Sequence, residues 1–389
     1  MDKNRRDFLK KAAIVTGAGI LAGAANPILA SVVGGSKAPA IQKGGSKKMK
    51  LTFKPYETKF LHQFAVSGSS RAFTELVQVQ IEYDGVVGYG EAVTPPYLGE
   101  SQASVVEFLK RVDLSQFSNP FELDDILTYV DNITAYNAAA KASIDIALHD
   151  LVGKLLGAKW CDIWGYTAAK APATSYTIGI DTPEVVRQKT REAAPYSIIK
   201  VKLGGEEDKE LVKTIREIEP NKPLCVDANQ GWKDKSYALD MIYWCKENGF
   251  IFVEQPIGRY NLDDMAWITE RSPLPTVADE SCQRLVDVKK LHGVFSAINI
   301  KLMKCTGMRE AHKMVELARA LDMKIMLGCM SGETSCGISA AAQLSPAIDW
   351  ADLDGNLLIS NDNFTGMKIV NGKITLADLP GVGAVPKKA

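Results

Sequence analysis

Several features are scarce or missing in this sequence, and each excludes a class of protein. Histidine occurs only four times in 389 residues, which leaves little material for a histidine-rich metal site. The 46 basic and 46 acidic residues leave no net charge to attract a nucleic acid or an anionic membrane surface. The seven cysteines are an odd number without a CxxC pair, which fits neither a disulfide framework nor a zinc site. The expected partner is therefore a small molecule, and no nucleic acid.

The start of the chain has the pattern of a targeting segment. Arg5-Arg6 and Phe8-Leu9-Lys10 precede an apolar stretch from Ala12 to Ala25, which resembles a twin-arginine export signal. We therefore expect residues 1–30 to direct the protein to the periplasm or another exported location, and the mature form to have no membrane span. The alternative is an uncleaved amphipathic tail.

Two cleavage patterns of the A-x-A type end this segment, at Ala22-Gly23-Ala24 and at Ile28-Leu29-Ala30. The following residues, 31–48, are rich in Gly, Ser and Lys and are expected to form a flexible leader. The sequence does not decide between the two cleavage sites, and it leaves the oligomeric state open, a homo-oligomer included.

Residues 49–165 are expected to form an α+β domain. Alternation of apolar and polar residues, clearest from Glu75 to Glu82, has the two-residue period of half-buried strands. A helical pattern follows from about Asn137 to Leu156, and Gly157 is a natural stop. The tail contains a hairpin signal, Ile369 to Ile374 around Asn371-Gly372, which we expect to return to this first domain, so that about 360–389 complete it.

Residues 170–358 have the rhythm of an α/β barrel. Eight short apolar runs alternate with charged, helix-like stretches, and they start near Ser175, Ser197, Leu224, Ile251, Thr276, Ala297, Ile325 and Ile348. Continuous apolar runs suit strands buried on both faces, and helical connections suit parallel crossovers. A barrel is the simplest architecture, and an open doubly wound sheet is its competitor.

Ionisable residues stand where five of these runs end. They are Lys200 and Lys202, Asp227, Glu254, Asp279, and Lys301. Each lies about one strand-plus-helix unit after the last, so they should meet at the end of the barrel where such enzymes build their sites.

Three carboxylates brought together in this way repel one another, and a divalent cation is the natural remedy. All-oxygen ligands favour Mg²⁺, with Mn²⁺ as an alternative, over Zn²⁺. We therefore predict Asp227, Glu254 and Asp279 as metal ligands. Any one of these acids alone would be better explained as a helix cap or a surface charge.

The lysines predict proton transfer. Lys200 and Lys202 point the same way from one strand, so their like charges are expected to depress a pKa and free an amine to act as a base. Lys301 comes from a strand four positions away and should approach from the opposite side. A base on each face of one carbon is what inversion by deprotonation and reprotonation requires. Lys304 is left open between the site and a solvated strand end.

These segments together resemble the muconate-lactonizing subgroup of the enolase superfamily, across nearly all of the mature chain. The matching motifs, in the order the family has them, are Gly88-Tyr-Gly-Glu91, Ala142 to Lys154, Lys200-x-Lys202, Asp279-Glu280-Ser281 and Ile300 to Lys304. The glycines of the first motif do not form a dinucleotide loop, because no third glycine follows. The resemblance implies a modified TIM barrel, (β/α)7β, with an α+β capping domain. It also implies the chemistry known for this superfamily, in which a lysine acts as the base and Mg²⁺ stabilises an ene-diolate.

Two further features resemble the dipeptide epimerases of that subgroup. Asp352-Leu-Asp354 is similar to the Asp-x-Asp element that holds a substrate's free ammonium, although a turn before Gly355 also explains it. Arg71 is similar to the capping-domain arginine that meets the side-chain carboxylate in alanine-glutamate members. Thr177, Lys200, Cys329 and Ser331 occupy positions similar to substrate-lining residues. The stretch from Gly328 to Thr334 differs from the alanine-glutamate members, which leaves the second residue of the substrate open.

The resemblance implies an isomerase that inverts the α-carbon of the second residue of Ala-Xaa dipeptides, such as Ala-Glu or Ala-Ala from murein. Lys202 and Lys301 would be the two bases, and Lys200 would help to stabilise the ene-diolate. Within the superfamily, o-succinylbenzoate synthesis and N-acylamino-acid racemisation are the alternatives. From another class, the alternative is an exported peptide-binding protein without turnover.

Overall fold

The computed structural model describes residues 48–66, 69–94 and 96–388. The expected export signal and nearly all of the expected leader lie outside the described residues. Within those residues, no helix is both long enough and apolar enough to cross a bilayer.

The first part of the chain is an antiparallel three-stranded sheet covered by helices. Its strands pair in the order β1-β2-β3, and the register of β1 against β2 shifts between Lys59 and Phe64. The elements are β1 (Lys50–Val66), β2 (Ser69–Tyr83), β3 (Val86–Val93), α1 (Gln102–Leu109), α2 (Leu123–Asn132), α3 (Ala138–Leu156) and the short α4 (Trp160–Ile163). The alternating segment predicted from Glu75 to Glu82 lies within β2, and the predicted long helix is α3, which Gly157 ends in a left-handed conformation (φ 65°).

The glycines of the Gly-x-Gly motif let β3 pack closely against α3. A Cβ atom added at Gly90 would lie 2.1 Å from the Ser143 carbonyl oxygen, and one at Gly88 would lie 2.1 Å from that of Ala147. Both obstacles are backbone atoms of one helix, so no side-chain rotation relieves them. The motif is therefore a packing device between sheet and helix in this fold, and not a phosphate loop.

The second part of the chain is a barrel of eight parallel strands. The strands are β4 (Ser175–Ile178), β5 (Ile198–Lys202), β6 (Leu224–Asp227), β7 (Phe250–Glu254), β8 (Thr276–Ala278), β9 (Ala297–Ile300), β10 (Lys324–Gly328) and β11 (Trp350–Asp352). The helices that connect them are α5 (Pro183–Glu192), α6 (Asp208–Arg216), α7 (Lys235–Glu247), α8 (Leu262–Arg271), α9 (Leu285–Leu291), α10 (Met308–Ala320) and α11 (Ser335–Ala342).

All eight predicted runs are strands, and each begins within about two residues of the predicted position. They pair in chain order from β4 to β11, and a single parallel bridge between Thr174 and Ala351 joins the two ends. The ladder therefore returns to its start, which an open doubly wound sheet does not do. The predicted fold class, a (β/α)7β modified TIM barrel with an α+β capping domain, is confirmed.

An apolar layer fills the barrel interior beneath the strand ends. Five side chains, one from each of five strands, form a separate buried cluster: Cys225, Phe252, Val277, Ala297 and Met326. Side chains two residues apart on a strand share a face, so the residues that follow in the next interior layer also point inward. Those residues are Asp227, Glu254, Asp279, Asn299 and Gly328. The charged layer therefore lies on a buried apolar layer.

The C-terminal segment joins the two parts. The predicted hairpin forms between β13 (Lys368–Val370) and β14 (Lys373–Thr375), with Asn371 and Gly372 at φ 52° and 74°. It lies against the barrel, where the Gly372 carbonyl accepts a hydrogen bond from Thr174 N, and not against the capping domain. The contacts to that domain come from its flanks.

Two such flanking contacts are well defined. Before the hairpin, the Tyr56 hydroxyl donates to the Asn361 carbonyl at 2.6 Å, close to the short strand β12 (Phe364–Thr365) that pairs with β15 (Val385–Pro386). After the hairpin, Val382 N donates to the carboxylate of Asp150 on α3. The tail therefore ties the capping sheet and α3 to the barrel.

We expect Gly90→Ala to lower the stability of the fold by about 3 kcal/mol or more, because overpacking against an immovable backbone exceeds the usual cost of about 1–3 kcal/mol. The urea midpoint and the melting temperature measure the change. Gly258→Ala is the matched control, since its added Cβ would meet only the Asn261 side chain at 3.6 Å. Equal stability of the two variants would show that α3 is free to move away from β3.

Candidate active site

Strand register brings the predicted site residues to one end of the barrel. Lys202 is paired with Asp227, and Asp227 with Glu254, as direct neighbours across β5, β6 and β7. Asp279 and Lys301 each come one residue after the end of β8 and β9. The order around the barrel is therefore lysine, acid, acid, acid, lysine, as predicted from their positions in the sequence.

The three acids form a compact, buried cluster. One carboxylate oxygen from each of Asp227, Glu254 and Asp279 lies within 4.8 Å of the others, and none of the three residues is more than 1% exposed. Burial and the charge of Asp227 raise the pKa of Glu254 to about 7. Burial would also raise the pKa of Asp227 and Asp279, but neighbouring lysines outweigh it and lower both.

This donor set fits a hard divalent cation. Carboxylate oxygens are the ligands that Mg²⁺ and Mn²⁺ accept. Beside the cluster, three side-chain oxygens of neighbouring residues are buried without a hydrogen-bond partner among the described residues: Oδ1 of Asn229, Oε2 of Glu280 and Oδ1 of Asn299. Buried polar atoms are otherwise nearly always paired. Unpaired acceptors next to three carboxylates fit the water shell of a cation that the three acids would hold.

Two lysines flank the acid cluster from opposite ends of its strand order. Lys202 Nζ lies 2.7 Å from Asp227 Oδ2, and Lys301 Nζ lies 2.7 Å from Asp279 Oδ2. Both residues are 7% exposed, so each amine is close to, but not sealed beneath, the surface of the site. The arrangement provides one proton-transfer group on each side of the acids, as inversion at a single carbon requires.

Lys200 lies deeper than Lys202 and is ion-paired on several sides. Its Nζ lies 2.6 Å from Asp352 Oδ2, 2.7 Å from Glu254 Oε2 and 3.3 Å from Asp227 Oδ2. Burial alone would lower its pKa, but these three carboxylates raise it well above the ordinary value. The prediction that the Lys200-Lys202 pair depresses a pKa is therefore wrong for Lys200, because its acidic neighbours outweigh the second lysine.

Two further residues hold the acids in place. Lys304, which the sequence leaves open, is 1% exposed and bonds to Asp279 Oδ1 at 2.5 Å, so it is not a solvated strand end. Its Nζ also donates to the backbone carbonyls of Asp279 and Asn299. Asn299 itself donates to Glu254 Oε1 at 2.7 Å. Together they fix the orientation of two of the three carboxylates.

The Asp-x-Asp element closes the other side of the barrel mouth. Asp352 ends β11 and accepts hydrogen bonds from Ser175 Oγ at 2.8 Å and Lys200. Asp354 accepts from the Thr177 backbone N–H at 2.7 Å. Burial and the charge of Asp352 raise the pKa of Asp354 to about 7. The structure thus brings Asp352, Asp354, Thr177 and Lys200 together as predicted, and the element is more than a turn before Gly355.

The loop after β10 forms the rim between the barrel and the capping domain. Cys329 is buried, and burial raises the pKa of its thiol well above the ordinary value, as do Glu333, Asp354 and Asp352. Ser331 is half-buried, and its carbonyl accepts a hydrogen bond from Thr74 of the capping domain. Both predicted lining residues therefore lie on this rim.

Arg71 sits on the capping hairpin. Its guanidinium lies 5.8 Å from the ring of Phe60 and forms no ion pair within the described part of the chain. Burial lowers its pKa, and the nearby Tyr97 opposes that shift. Arg71 is therefore a partly desolvated cation with no acidic partner among the described residues.

Tyr97 and Asn299 are site residues that sequence reasoning missed. Tyr97 follows β3, its hydroxyl lies 3.5 Å from Met330 Sδ, and the charges of Lys301, Asp279, Glu280 and Asp227 all affect its pKa, which burial raises well above the ordinary value. Asn299 could have been found, since it precedes Lys301 by two residues on the same strand and so shares its face. Tyr97 gives no such signal, because its loop reaches the site only through domain packing.

Family models match both parts of the chain. Residues 51–165 match the "Mandelate racemase / muconate lactonizing enzyme, N-terminal domain", and residues 184–389 match the "Enolase C-terminal domain-like" family. Together they cover the sheet domain and nearly the whole barrel.

Individual relatives extend over the same length. An L-Ala-D/L-Glu epimerase of Bacteroides thetaiotaomicron is 60% identical over 384 residues, covering 98% of this chain and 99% of that protein. The crystal structure of a dipeptide epimerase from Cytophaga hutchinsonii, complexed with Mg and D-Ala-L-Val, has a TM-score of 0.82 at 26% identity and covers 88% and 96% of the two chains. A dipeptide epimerase from Enterococcus faecalis V583, complexed with Mg and L-Leu-L-Tyr, has a TM-score of 0.80 at 33% identity and covers 87% and 99%. This chain therefore belongs to the enolase superfamily, in its mandelate racemase and muconate lactonizing enzyme branch.

Proposed function

We propose that this protein is a dipeptide epimerase that inverts the α-carbon of the second residue by moving one proton between two lysines. The observation that carries the proposal is the placement of Lys202 and Lys301, each 2.7 Å from an outer carboxylate of the buried acid cluster. The names of the relatives support the same reaction, since the proteins of Bacteroides thetaiotaomicron, Cytophaga hutchinsonii and Enterococcus faecalis are all described as epimerases of dipeptides.

The two charged ends of a dipeptide fit opposite sides of the barrel mouth. Asp227, Glu254 and Asp279 would hold a Mg²⁺ or Mn²⁺ ion, and the terminal carboxylate would be bound there. Asp352 and Asp354 offer acceptor oxygens for the free ammonium group, with Thr177 and Ser175 holding those carboxylates in position. A substrate bound in this way has its second α-carbon between the two lysines.

Proton transfer then follows from the positions of the lysines. Either Lys202 or Lys301 accepts the α-proton from the face it meets, and the other returns a proton to the opposite face. When bound, the cation supplies charge stabilisation for the ene-diolate oxygen and for the three carboxylates. Lys200 adds a fixed positive charge beside Glu254 and Asp227, since its raised pKa keeps it protonated.

The second side chain would lie under the capping domain. Arg71 would face that space from the capping hairpin, Tyr97 from the loop after β3, and Cys329 and Ser331 from the loop after β10. The guanidinium of Arg71, which has no ion pair among the described residues, suits an acidic side chain, and Ala-Glu is the substrate that it favours. Ala-Ala and other apolar second residues lack a group that this arginine would bind.

The expected signal segment supports a reaction outside the cytoplasm. Residues 1–30 have the twin-arginine pattern, and murein fragments outside the cytoplasm supply dipeptides with residues of both configurations. We propose that the enzyme acts on peptidoglycan-derived dipeptides in the periplasm. The twin-arginine route carries folded proteins, so a metal ion could be bound before export.

We expect Lys301→Ala to abolish epimerisation while hydrogen exchange from one diastereomer of Ala-Glu continues, because Lys202 still removes a proton from its own face. Lys202→Ala should retain exchange from the other diastereomer only. Incubation with Mg²⁺ in D₂O, followed by mass spectrometry and chiral separation, measures both outcomes.

Lys246→Ala, at an exposed position on α7, is the control and should behave as wild type. Removal of the metal with EDTA should stop exchange from both diastereomers in every variant. If Lys301→Ala exchanges neither or both diastereomers while it still binds metal, the assignment of one lysine to each face is wrong.

We expect Asp352→Asn and Asp354→Asn each to reduce kcat/KM for Ala-Glu by about 10- to 100-fold, the range expected when a hydrogen bond to a charged group worth about 1.5–3 kcal/mol is lost. The kcat/KM for the same dipeptide with an acetylated amine should fall much less. The preference of the enzyme for a free amine, measured as the ratio of the two kcat/KM values, should therefore decrease. Asp354→Asn matters because it leaves the Lys200–Asp352 pair intact. An unchanged preference in both variants would favour an N-acylamino-acid racemase or o-succinylbenzoate synthase.

We expect Arg5→Lys combined with Arg6→Lys to leave the full-length precursor in the cytoplasm, because the twin-arginine pair is the feature read by that export route. Fractionation and the mass of the mature N-terminus measure export and cleavage. Lys47→Arg with Lys48→Arg is the control for a charge-conserving double change. Normal export of the variant that carries both arginine substitutions would contradict the assignment of the signal.

A further inference from the structure

Two buried glutamates from different domains meet at the start of α11 (Ser335–Ala342). Glu91 comes from β3 of the capping domain, and Glu333 comes from the loop between β10 and α11. Their exposed fractions are 0% and 1%, and the proposed mechanism uses neither. Buried carboxyl groups are costly unless they are paired, so this pair requires an explanation.

Glu91 closes the N-terminus of a barrel helix from the capping domain. Its Oε1 accepts hydrogen bonds from Thr334 N at 2.9 Å and Gly337 N at 3.1 Å. Its Oε2 accepts from the Thr334 hydroxyl at 2.5 Å. The first N–H groups of a helix have no partner within it, so this glutamate satisfies donors that would otherwise be buried and unpaired.

Glu333 closes the turn that carries the rim of the site. Its Oε1 accepts from Met330 N at 2.6 Å, and its own N–H donates to the Met330 carbonyl. The same turn is held from the capping side, where Thr58 Oγ1 donates to Gly332 O at 2.9 Å. Residues 330–333 therefore have a fixed shape that depends on Glu333 inside and on the capping domain outside.

The two carboxyl groups also approach each other. A Cβ atom added at Gly337 would lie 2.7 Å from both Glu333 Oε2 and Glu91 Oε1, so the missing side chain of this glycine makes room for them. Neither glutamate is in an ion pair within the described residues. Two buried carboxylates on either side of one glycine, each within reach of the other's charge, cannot both remain ionised without a large cost, and one shared proton would remove that cost.

Among the described residues, no positive charge around Glu91 and Glu333 takes the place of the shared proton. The groups that face Glu91 are the Asp362 carboxylate, which adds negative charge, and the Cys336 thiol. Those that face Glu333 are Glu91 itself, the Cys329 thiol and Lys301, which already pairs with Asp279. The balance around the pair is negative.

We propose that Glu91 and Glu333 are positioning residues that share a proton and so clamp the capping domain to the 330–333 turn, fixing the rim of the substrate site. The consequence for substrate rests on the proposed dipeptide epimerase function, whereas the clamp itself does not. Neither carboxyl group touches the reacting atoms. Loss of the shared proton leaves two adjacent charges and loosens the turn.

The raised pKa values of the two glutamates determine how the stability of the 330–333 turn changes with pH. Burial raises the pKa of Glu91 to about 7 and that of Glu333 to about 8, against an ordinary value of 4.5. The closed turn therefore binds protons that the open turn releases. Its stability is fully present below about pH 4.5, falls as the pH rises, and is lost once the pH exceeds about 8.

Hydrogen–deuterium exchange of peptides spanning 329–338 in the metal-free and substrate-free protein tests the clamp directly. After correction for intrinsic rates, protection in the wild type should fall between pH 5 and pH 8 and then level off. Glu333→Gln should flatten the upper part of this decline, and Glu91→Gln with Glu333→Gln should remove it. Exposed Glu107→Gln on α1 is the matched control, and peptides of α7 report any global effect.

Two further measurements separate positioning from simple structural support. Infrared difference spectra should show a protonated carboxylic acid in the wild type at pH 7 that Glu333→Gln lacks. With Ala-Glu as substrate, Glu333→Ala should raise KM about tenfold with kcat largely kept, as expected for loss of one buried hydrogen bond, and Glu333→Gln should restore KM.

The outcomes are distinguishable. If protection of 329–338 in the wild type does not depend on pH, or if the double variant shows the same decline as the wild type, the proposal is overturned whatever the activity. If protection behaves as expected but no dipeptide is turned over, the clamp stands and the proposed function fails.

Discussion

The structure depends on one electrostatic constraint: three carboxylates are buried within 4.8 Å of one another at the mouth of a barrel. Like charges at this separation in a dry site repel strongly, so each must be compensated. The chain does this from both sides, with Lys202 on Asp227 and Lys301 and Lys304 on Asp279. Glu254, the central acid, has Lys200 Nζ at 2.7 Å and a hydrogen bond from Asn299, yet burial and the charge of Asp227 still raise its pKa to about 7. The lysines therefore do not fully offset the charge of the cluster, which fits a cation held by the three acids.

The same constraint links the proposed catalytic lysines to the proposed metal ligands. A lysine that holds a carboxylate at 2.7 Å keeps its proton, since the negative charge raises its pKa, as it does for Lys301. Asp227, Glu254 and Asp279 would hold a cation through the same oxygens, and that would weaken the hold of the carboxylates on the two amines. Under the proposed function, metal binding and the basicity of the two lysines would therefore be coupled through shared oxygens.

The barrel and its charged layer could be predicted from sequence because both follow from local rules. Continuous apolar runs specify buried parallel strands, and an ionisable residue at each strand end must lie at the same rim. Contacts between distant strands could not be predicted. Nothing local indicates that Lys200 pairs with Asp352, 152 residues away, and this contact reversed the expected pKa shift. Tyr97 and the Glu91–Glu333 pair depend on how the capping domain docks, which no periodicity encodes.

The junction between the capping domain and the barrel also contains buried acids, but their charge is offset in a different way. At the acid cluster, lysines and the proposed cation would offset the charges of the carboxylates. At the junction of the domains, Glu91 and Glu333 have no cation paired with them among the described residues, and backbone N–H groups together with a proton must do the same work. A helix N-terminus is suited to this because its free N–H groups already favour an anion. The loop between Gly328 and α11 therefore connects two electrostatic centres, with Lys301 close enough to affect the pKa of Glu333. A substrate that binds under this loop meets a surface whose shape is set from both domains, so specificity for the second residue cannot belong to Arg71 alone.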